Sequence, residues 1–102
     1  MKIYFWKMKD NISRAEIIVS GLVQGVGFRY FVLRKATQLN LFGFTKNQYD
    51  GTVLTVVEGE KHLIEELINQ LKVGPMHADV RDIKIAWRSF IGEFSSFEIR
   101  RY

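Results

Sequence analysis

A glycine-rich stretch that ends in an arginine is the part of this sequence best suited to chemistry. It runs from Gly21 to Arg29 and reads Gly-Leu-Val-Gln-Gly-Val-Gly-Phe-Arg. Gly25 and Gly27 allow backbone N–H groups to turn inward, and the helix predicted to follow offers its positive end to an anion. Arg29 lies in the first turn of that helix, where a cation is disfavoured by the helix dipole. An arginine at this position is better explained if a phosphate binds beside it, because its planar fork can bind two phosphate oxygens. The stretch predicts a phosphate site; taken alone, a glycine turn with a solvated arginine is the alternative.

Two nucleotide-binding motifs and the common metal sites do not fit the sequence. No Gly-Lys-Ser/Thr follows the glycines, so the stretch is not a Walker loop, and it lacks the third glycine of the dinucleotide fingerprint. The chain contains no cysteine, which excludes disulfides, thiol catalysis and cysteine-bound metals. His62 and His77 stand fifteen residues apart without clustered carboxylates. Both are interpreted as surface residues, and a zinc or di-metal phosphatase is disfavoured.

The elements around this loop predict that Asn47 lies at the same end of the sheet as the loop. Residues 15–21 are rich in β-formers and predict a first strand, residues 28–39 predict a helix, and residues 41–46 predict a second strand. A helix of twelve residues falls about 18 Å, and a return strand of six residues rises about 20 Å. The two strands should be parallel, with Asn47 just past the second one. The alternative is that the Asn47 side chain only forms hydrogen bonds with the backbone of a turn.

The remaining pattern predicts an α+β fold. Asp50-Gly51 favours a tight turn, and Gly74-Pro75 ends the second helix. Further elements are predicted at 52–57 (strand), 60–71 (helix), 81–87 (strand) and 97–101 (short strand). Buried positions are predicted for one face of each helix and for the alternating residues Ile83, Ile85 and Trp87. The order β-α-β-β-α-β plus a short last strand fits a ferredoxin-like α/β sandwich, with two helices on one face of a mixed, mainly antiparallel sheet.

The bulk properties indicate one ordinary globular domain. The chain has 102 residues, of which 47% are hydrophobic and 25% charged, and its net charge of +4 would help to attract an anionic ligand or nucleic acid. Residues 1–13 are interpreted as an N-terminal extension and residues 14–102 as the domain. The apolar run at residues 3–6 is too short for a signal peptide, and no stretch approaches the roughly 18 apolar residues of a spanning helix. A soluble, cytoplasmic protein is therefore expected.

Three segments resemble motifs of the acylphosphatase family. Residues 21–29 match G-x-V-Q-G-V-G-F-R at every fixed position, and residues 43–53 resemble G-x-x-x-N-x-x-D-G-x-V. Residues 74–80 are similar to G-P-x-x-A-x-V. The chain departs from the family pattern at Asn40, where glycine is usual, and at residues 44–45, where Phe-Thr replaces a common Trp-Val. Two long motifs at the right separation make this resemblance specific, and it extends from Ala15 nearly to the end.

The resemblance implies a ferredoxin-like enzyme that hydrolyses the carboxyl–phosphate anhydride without a metal or other cofactor. Arg29 matches the arginine that binds the phosphoryl group, and Asn47 matches the asparagine that orients the attacking water. The implied phosphate cradle consists of the backbone amides of Gln24, Gly25, Val26, Gly27, Phe28 and Arg29. The expected partners are a small acyl phosphate and inorganic phosphate, with no nucleic acid and no membrane, and the expected state is a monomer.

Two alternatives concern the context of the fold. The same element order builds RNA-recognition domains, and residues 25–31 superficially resemble their aromatic RNP1 string. This string opens a helix, however, whereas stacking aromatics must lie on an exposed sheet face, so Phe28 and Phe31 are interpreted as core residues. Acylphosphatase-like domains also begin larger carbamoyl-transfer maturation enzymes, and a chain that stops at Tyr102 favours the stand-alone enzyme.

Overall fold

Five strands and two helices make up the part of the chain that the structure, a computed structural model, describes, namely residues 11–101. In chain order they are β1 (Ile12–Leu22), α1 (Phe28–Gln38), β2 (Phe42–Asn47), β3 (Val53–Glu60), α2 (Lys61–Val73), β4 (Asp79–Arg88) and β5 (Phe97–Arg100). The strands form one sheet in the order β4-β1-β3-β2-β5. Both helices pack on one face of this sheet, which confirms the predicted ferredoxin-like α+β fold.

The pairing of the strands places the ends of β1 and β2 at the same edge of the sheet. Both strands are antiparallel to β3, which lies between them, so they run parallel to each other. β4 is antiparallel to β1, and of the pairings between the described strands only that of β5 with β2 is parallel. The sheet is therefore mixed and mainly antiparallel, as predicted. The loop after β1 and the last residue of β2 consequently approach the same edge.

Three strands, β1, β3 and β4, are longer than the hydrophobic pattern indicates. Ile12 and Ser13, which were predicted to belong to the extension, begin β1 and pair with Glu60 and Gly59 of β3. Asn47 is the last residue of β2 rather than the residue after it. Backbone hydrogen bonding continues wherever a partner strand is present, whatever the side chains. Residues 1–10 lie outside the described part of the chain, so the N-terminal extension stays a prediction.

The core lies between the sheet and the two helices and follows the predicted helical spacing. α1 buries Phe28, Val32 and Ala36, spaced four residues apart. Four residues of α2 are also buried, namely Ile64, Leu67, Ile68 and Leu71. The prediction that Ile85 and Trp87 of β4 are buried was wrong, because each of them remains 37% exposed. This strand is the edge of the sheet, so its helix-facing side is only partly covered.

On the face opposite the helices, a segment that we call the crossing segment (residues 89–96) joins β4 to β5. It is fixed by Glu58, which is only 2% exposed. The Glu58 carboxylate accepts hydrogen bonds from the N–H groups of Ile91, Gly92 and Glu93 at 2.8, 3.2 and 3.0 Å. Arg14 donates to the same carboxylate at 3.2 Å and also to the Glu93 side chain at 3.0 Å. This network lies at the opposite end of β1 and β3 from the loop at residues 23–27.

Glu58→Gln is expected to destabilise the fold at neutral pH by about 1–3 kcal/mol, because Arg14 loses one of its two carboxylate partners and three backbone N–H groups lose a charged acceptor. Burial raises the pKa of Glu58, but the hydrogen bonds from Ile91, Glu93, Arg14 and Gly92 outweigh it and lower the pKa below its ordinary value of 4.5. A lowered pKa contributes stability above the unfolded-state value, and this contribution is lost as the pH falls through the folded-state value. Urea unfolding at neutral and acidic pH measures this difference.

The matched control for this experiment is Glu65→Gln, since Glu65 is an exposed carboxylate on α2. We expect this control to change the free energy of unfolding by no more than about 0.5 kcal/mol. The difference in the free energy of unfolding between wild type and Glu58→Gln should become smaller as the pH falls below the ordinary glutamate pKa. A difference that stays constant over this range would show that the charge of Glu58 is not what stabilises the crossing segment.

Candidate active site

The loop between β1 and α1 has the backbone conformation that its glycines predict. Gly25 and Gly27 both adopt left-handed φ angles, of 74° and 77°. Gly27 is the N-cap of α1, with no side-chain cap and no acidic residue in the first turn. The first helical hydrogen bond runs from the Phe31 N–H to the Gly27 carbonyl at 3.1 Å. The N–H groups before Phe31 therefore remain available at the positive end of the helix, an arrangement that suits an anion.

Arg29 projects from the first turn of α1 beside these N–H groups. It is half-buried and forms no ion pair with any carboxylate within residues 11–101. A guanidinium placed against the positive end of a helix, without a compensating carboxylate, is destabilised by the helix dipole. A bound phosphate would supply the missing negative charge and accept two hydrogen bonds from the planar fork.

Asn47 meets Arg29 in the same cavity, of about 160 Å³, at the edge of the sheet. Its remaining lining consists of Val23, Gly25, Gly27, Phe28 and Tyr30. The Oδ1 atom of Asn47 is buried and accepts no hydrogen bond, which holds for no other buried side-chain N or O atom in the described chain. An unpaired buried acceptor costs about 1–3 kcal/mol, so its persistence next to a cationic cavity points to a ligand or water.

The other two residues of the predicted phosphate cradle direct their side chains elsewhere. Val26 packs against the hydrophobic core. The Gln24 Nε2 atom donates to the carbonyl oxygens of Gln48 and Thr52 at 2.8 and 2.9 Å. Gln24 thus links the glycine loop to the turn that follows Asn47. This link was not foreseen from the sequence, because a glutamine in a glycine-rich loop carries no pattern that identifies a distant backbone partner.

The turn after Asn47 has a hydrogen-bonding pattern of its own. The Gly51 N–H donates to the Gln48 carbonyl at 3.1 Å, which confirms the predicted tight turn. Asp50 Oδ1 accepts from the hydroxyl and the N–H of Thr52 at 2.6 and 3.1 Å. These bonds, of which the one from the hydroxyl has the larger effect, lower the pKa of Asp50. Asp50 therefore serves the turn, as its residue type predicted.

Gln24→Met is expected to lower kcat for benzoyl phosphate about tenfold, because the turn that directly follows Asn47 loses both bonds to the loop. We also expect a loss of about 1–2 kcal/mol in the free energy of unfolding, since two side-chain hydrogen bonds are lost while the Gln48 and Thr52 carbonyls each keep a backbone N–H donor. Steady-state kinetics and urea unfolding test this. Gln70→Met removes a single exposed bond of 3.3 Å on α2 and is the matched control. A Gln24→Met variant with reduced stability but wild-type kcat would limit the Gln24 side chain to a structural role.

The structure also locates the residues on which the alternative functions depended. Phe28 is fully buried and Phe31 packs against the core, so the string at residues 25–31 offers no exposed sheet aromatics to RNA. His62 and His77 are exposed, as predicted. Within the described residues, no three histidine, aspartate or glutamate side chains are grouped to hold a metal ion. The same part of the chain contains no helix with the length and apolarity to span a bilayer.

Val23 and Tyr30 line the cavity although neither was predicted as a site residue, and Tyr30 is the exposed one of the two. It lies next to Arg29 but off the buried face of α1, and it is 65% exposed. An exposed aromatic side chain beside a phosphate motif is a signal that could have identified it. Helical spacing shows only that Tyr30 is outside the core, and not that it borders a cavity.

The chain is similar to known acylphosphatases over most of its length. A model of the family described as acylphosphatase matches residues 15–99. An acylphosphatase from Moorella thermoacetica is 43% identical over 90 residues, which is 88% of this chain and 96% of the relative. The crystal structure of the Bacillus subtilis acylphosphatase has 35% identity and a TM-score of 0.84, covering 86% of this chain and 98% of that one. The structure of an acylphosphatase from Coxiella burnetii gives 35% identity, a TM-score of 0.85, and coverages of 92% and 98%.

Proposed function

Because the chain belongs to the acylphosphatase family, its reaction is the hydrolysis of an acyl phosphate, and we propose that Arg29 and Asn47 carry out this reaction on opposite sides of one phosphoryl group. Arg29 and the backbone amides of residues 24–29 bind the phosphoryl oxygens, and Asn47 orients the water. The observation that carries the proposal is the buried, unpaired Oδ1 of Asn47 in the cavity that Arg29 lines. A water between this oxygen and a bound phosphate would satisfy it.

The chemistry of the substrate explains why so few groups suffice. A mixed anhydride expels a carboxylate of low basicity, so no strong general acid is required. The transition state of phosphoryl transfer is loose, and the protein has mainly to position the reactants and to stabilise charge on the equatorial oxygens. Arg29 and the amides at the start of α1 are placed for this stabilisation. The proton of the attacking water then passes to a phosphate oxygen, which makes the reaction substrate-assisted.

We further propose that the reaction needs no metal ion, a proposal supported by the supply of positive charge from Arg29 and the helix end. Wild-type hydrolysis of benzoyl phosphate should proceed at the same rate with and without excess chelator. In water enriched in oxygen-18, one labelled oxygen should enter inorganic phosphate and none should enter benzoate, because the water attacks phosphorus. Loss of activity in chelator that a divalent metal restores, or label in benzoate, would contradict the proposed chemistry.

A cytoplasmic monomer without a nucleic acid or membrane partner completes the proposal. The cavity supports the monomer, because one chain supplies every side chain and amide that the reaction uses. Sedimentation at the enzyme concentration of the assay tests the oligomeric state, and fractionation of the native cell tests the location. An RNA-binding function would require salt-sensitive retention of labelled RNA, which we do not expect.

A further inference from the structure

We propose that Tyr30 binds the acyl end of the substrate and gives the enzyme a preference for acyl phosphates with an aromatic acyl group. This inference rests on the proposed function, since it takes the phosphoryl group to lie between Arg29 and Asn47. Nothing in the phosphate-binding arrangement itself distinguishes one acyl group from another. The preference must therefore come from a side chain at the mouth of the cavity.

Among residues 11–101, the lining of the cavity leaves one side chain at its mouth. Three of the seven lining residues are exposed, and two of these, Gly25 and Gly27, have no side chain with which to contact a substrate. The third is Tyr30. Its side chain makes no hydrogen bond, ion pair or ring contact with the described residues, so its ring and hydroxyl are available to a ligand.

The direction of attack places the leaving group on the side of Tyr30. In an in-line displacement the incoming water and the departing carboxylate lie on opposite faces of phosphorus. The Oδ1 atom of Asn47 is buried, so the water that it orients approaches from the inner wall of the cavity. The acyl group consequently leaves toward solvent, where Tyr30 is the exposed side chain. A flat aromatic acyl group can stack on the tyrosine ring, whereas an acetyl group is too small to do so.

The test compares benzoyl phosphate with acetyl phosphate in the wild type and in three variants. Tyr30→Ala should raise the KM for benzoyl phosphate about fivefold and leave kcat/KM for acetyl phosphate unchanged. Tyr30→Phe keeps the ring and should behave like the wild type with both substrates. Tyr49→Ala is the matched control, because Tyr49 is also exposed and lies two residues after Asn47 but does not line this cavity. It should leave the ratio of the two kcat/KM values unchanged.

The outcomes separate this inference from the proposed function. Acetyl phosphate kinetics report whether each variant is folded and active, so a defect in folding would lower both substrates together and would not alter their ratio. An unchanged ratio in Tyr30→Ala, or a fall in the ratio in Tyr49→Ala instead, would overturn the role of Tyr30 while the hydrolase activity stood. A wild type that hydrolyses neither substrate would overturn the proposed function itself.

Discussion

Replacing Arg29 with glutamine is expected to lower kcat/KM for benzoyl phosphate by about 10³- to 10⁵-fold, the range measured for arginines that stabilise charge in phosphoryl transfer. The reason is that, among the described residues, Arg29 is the one charged side chain that lines the cavity shared with Asn47. Glutamine retains a polar donor but loses both the positive charge and the planar fork. The measurement is single-substrate kinetics on purified protein, with the release of inorganic phosphate as readout.

The same substitution should leave the fold intact or stabilise it slightly. Arg29 stands at the positive end of α1 and forms no ion pair within residues 11–101. Removal of a cation from that position relieves an unfavourable interaction with the helix dipole of about 0.3–1 kcal/mol. Urea unfolding should therefore show an equal or higher free energy of unfolding for Arg29→Gln. This combination of lost activity and retained stability is the signature of a residue that is kept for its ligand.

Two further variants determine which property of Arg29 matters. Arg34→Gln makes the same charge change on the exposed side of α1 and should retain wild-type kinetics. Arg29→Lys keeps the charge but not the bidentate geometry, and we expect it to recover only a small part of the lost activity. Nearly full activity in Arg29→Gln, or an equal loss in Arg34→Gln, would contradict the assignment of Arg29 to the phosphoryl group.

The parts of this site that could be predicted from sequence are those fixed by local chemistry. The left-handed angles of Gly25 and Gly27 follow from residue type. The convergence of Asn47 on the loop follows from the rise of a helix and a strand together with the parallel course of β1 and β2. Asn40 likewise adopts a left-handed φ of 56°, which asparagine tolerates and which agrees with the glycine usual at this position in the family. In each case the conformation depends on a few neighbouring residues or on regular geometry.

The parts that could not be predicted depend on contacts between residues far apart in the chain. Gln24 reaches carbonyl oxygens 24 and 28 residues away. Glu58 binds backbone N–H groups more than 30 residues away, in a segment that has no regular structure. The exposure of Ile85 and Trp87 depends on β4 being an edge strand. The alternation of apolar and polar residues along a strand does not reveal the position of that strand in the sheet. Periodicity identifies a face but not what covers it.

Asn47→Ala is expected to lower kcat by about 10²- to 10³-fold with little change in KM, since the side chain acts on the attacking water rather than on the bound phosphate. Its Oδ1 atom is buried and unpaired, so alanine removes an acceptor that the protein itself does not satisfy. The free energy of unfolding should then be unchanged or slightly higher, because an unpaired buried polar atom is destabilising. Kinetics with benzoyl phosphate and urea unfolding on the same samples measure both effects.

The comparison that isolates this role uses one further substitution at Asn47 and one elsewhere. Asn47→Asp keeps an oxygen acceptor but adds a negative charge beside the phosphoryl group, so its KM should rise, in contrast to that of Asn47→Ala. Asn69→Ala removes an exposed asparagine from α2 and should leave kcat and KM unchanged. A wild-type kcat in Asn47→Ala would mean that another group orients the water. A loss confined to KM would mean that Asn47 binds the phosphate instead, and that the unpaired Oδ1 is not the acceptor for the nucleophile.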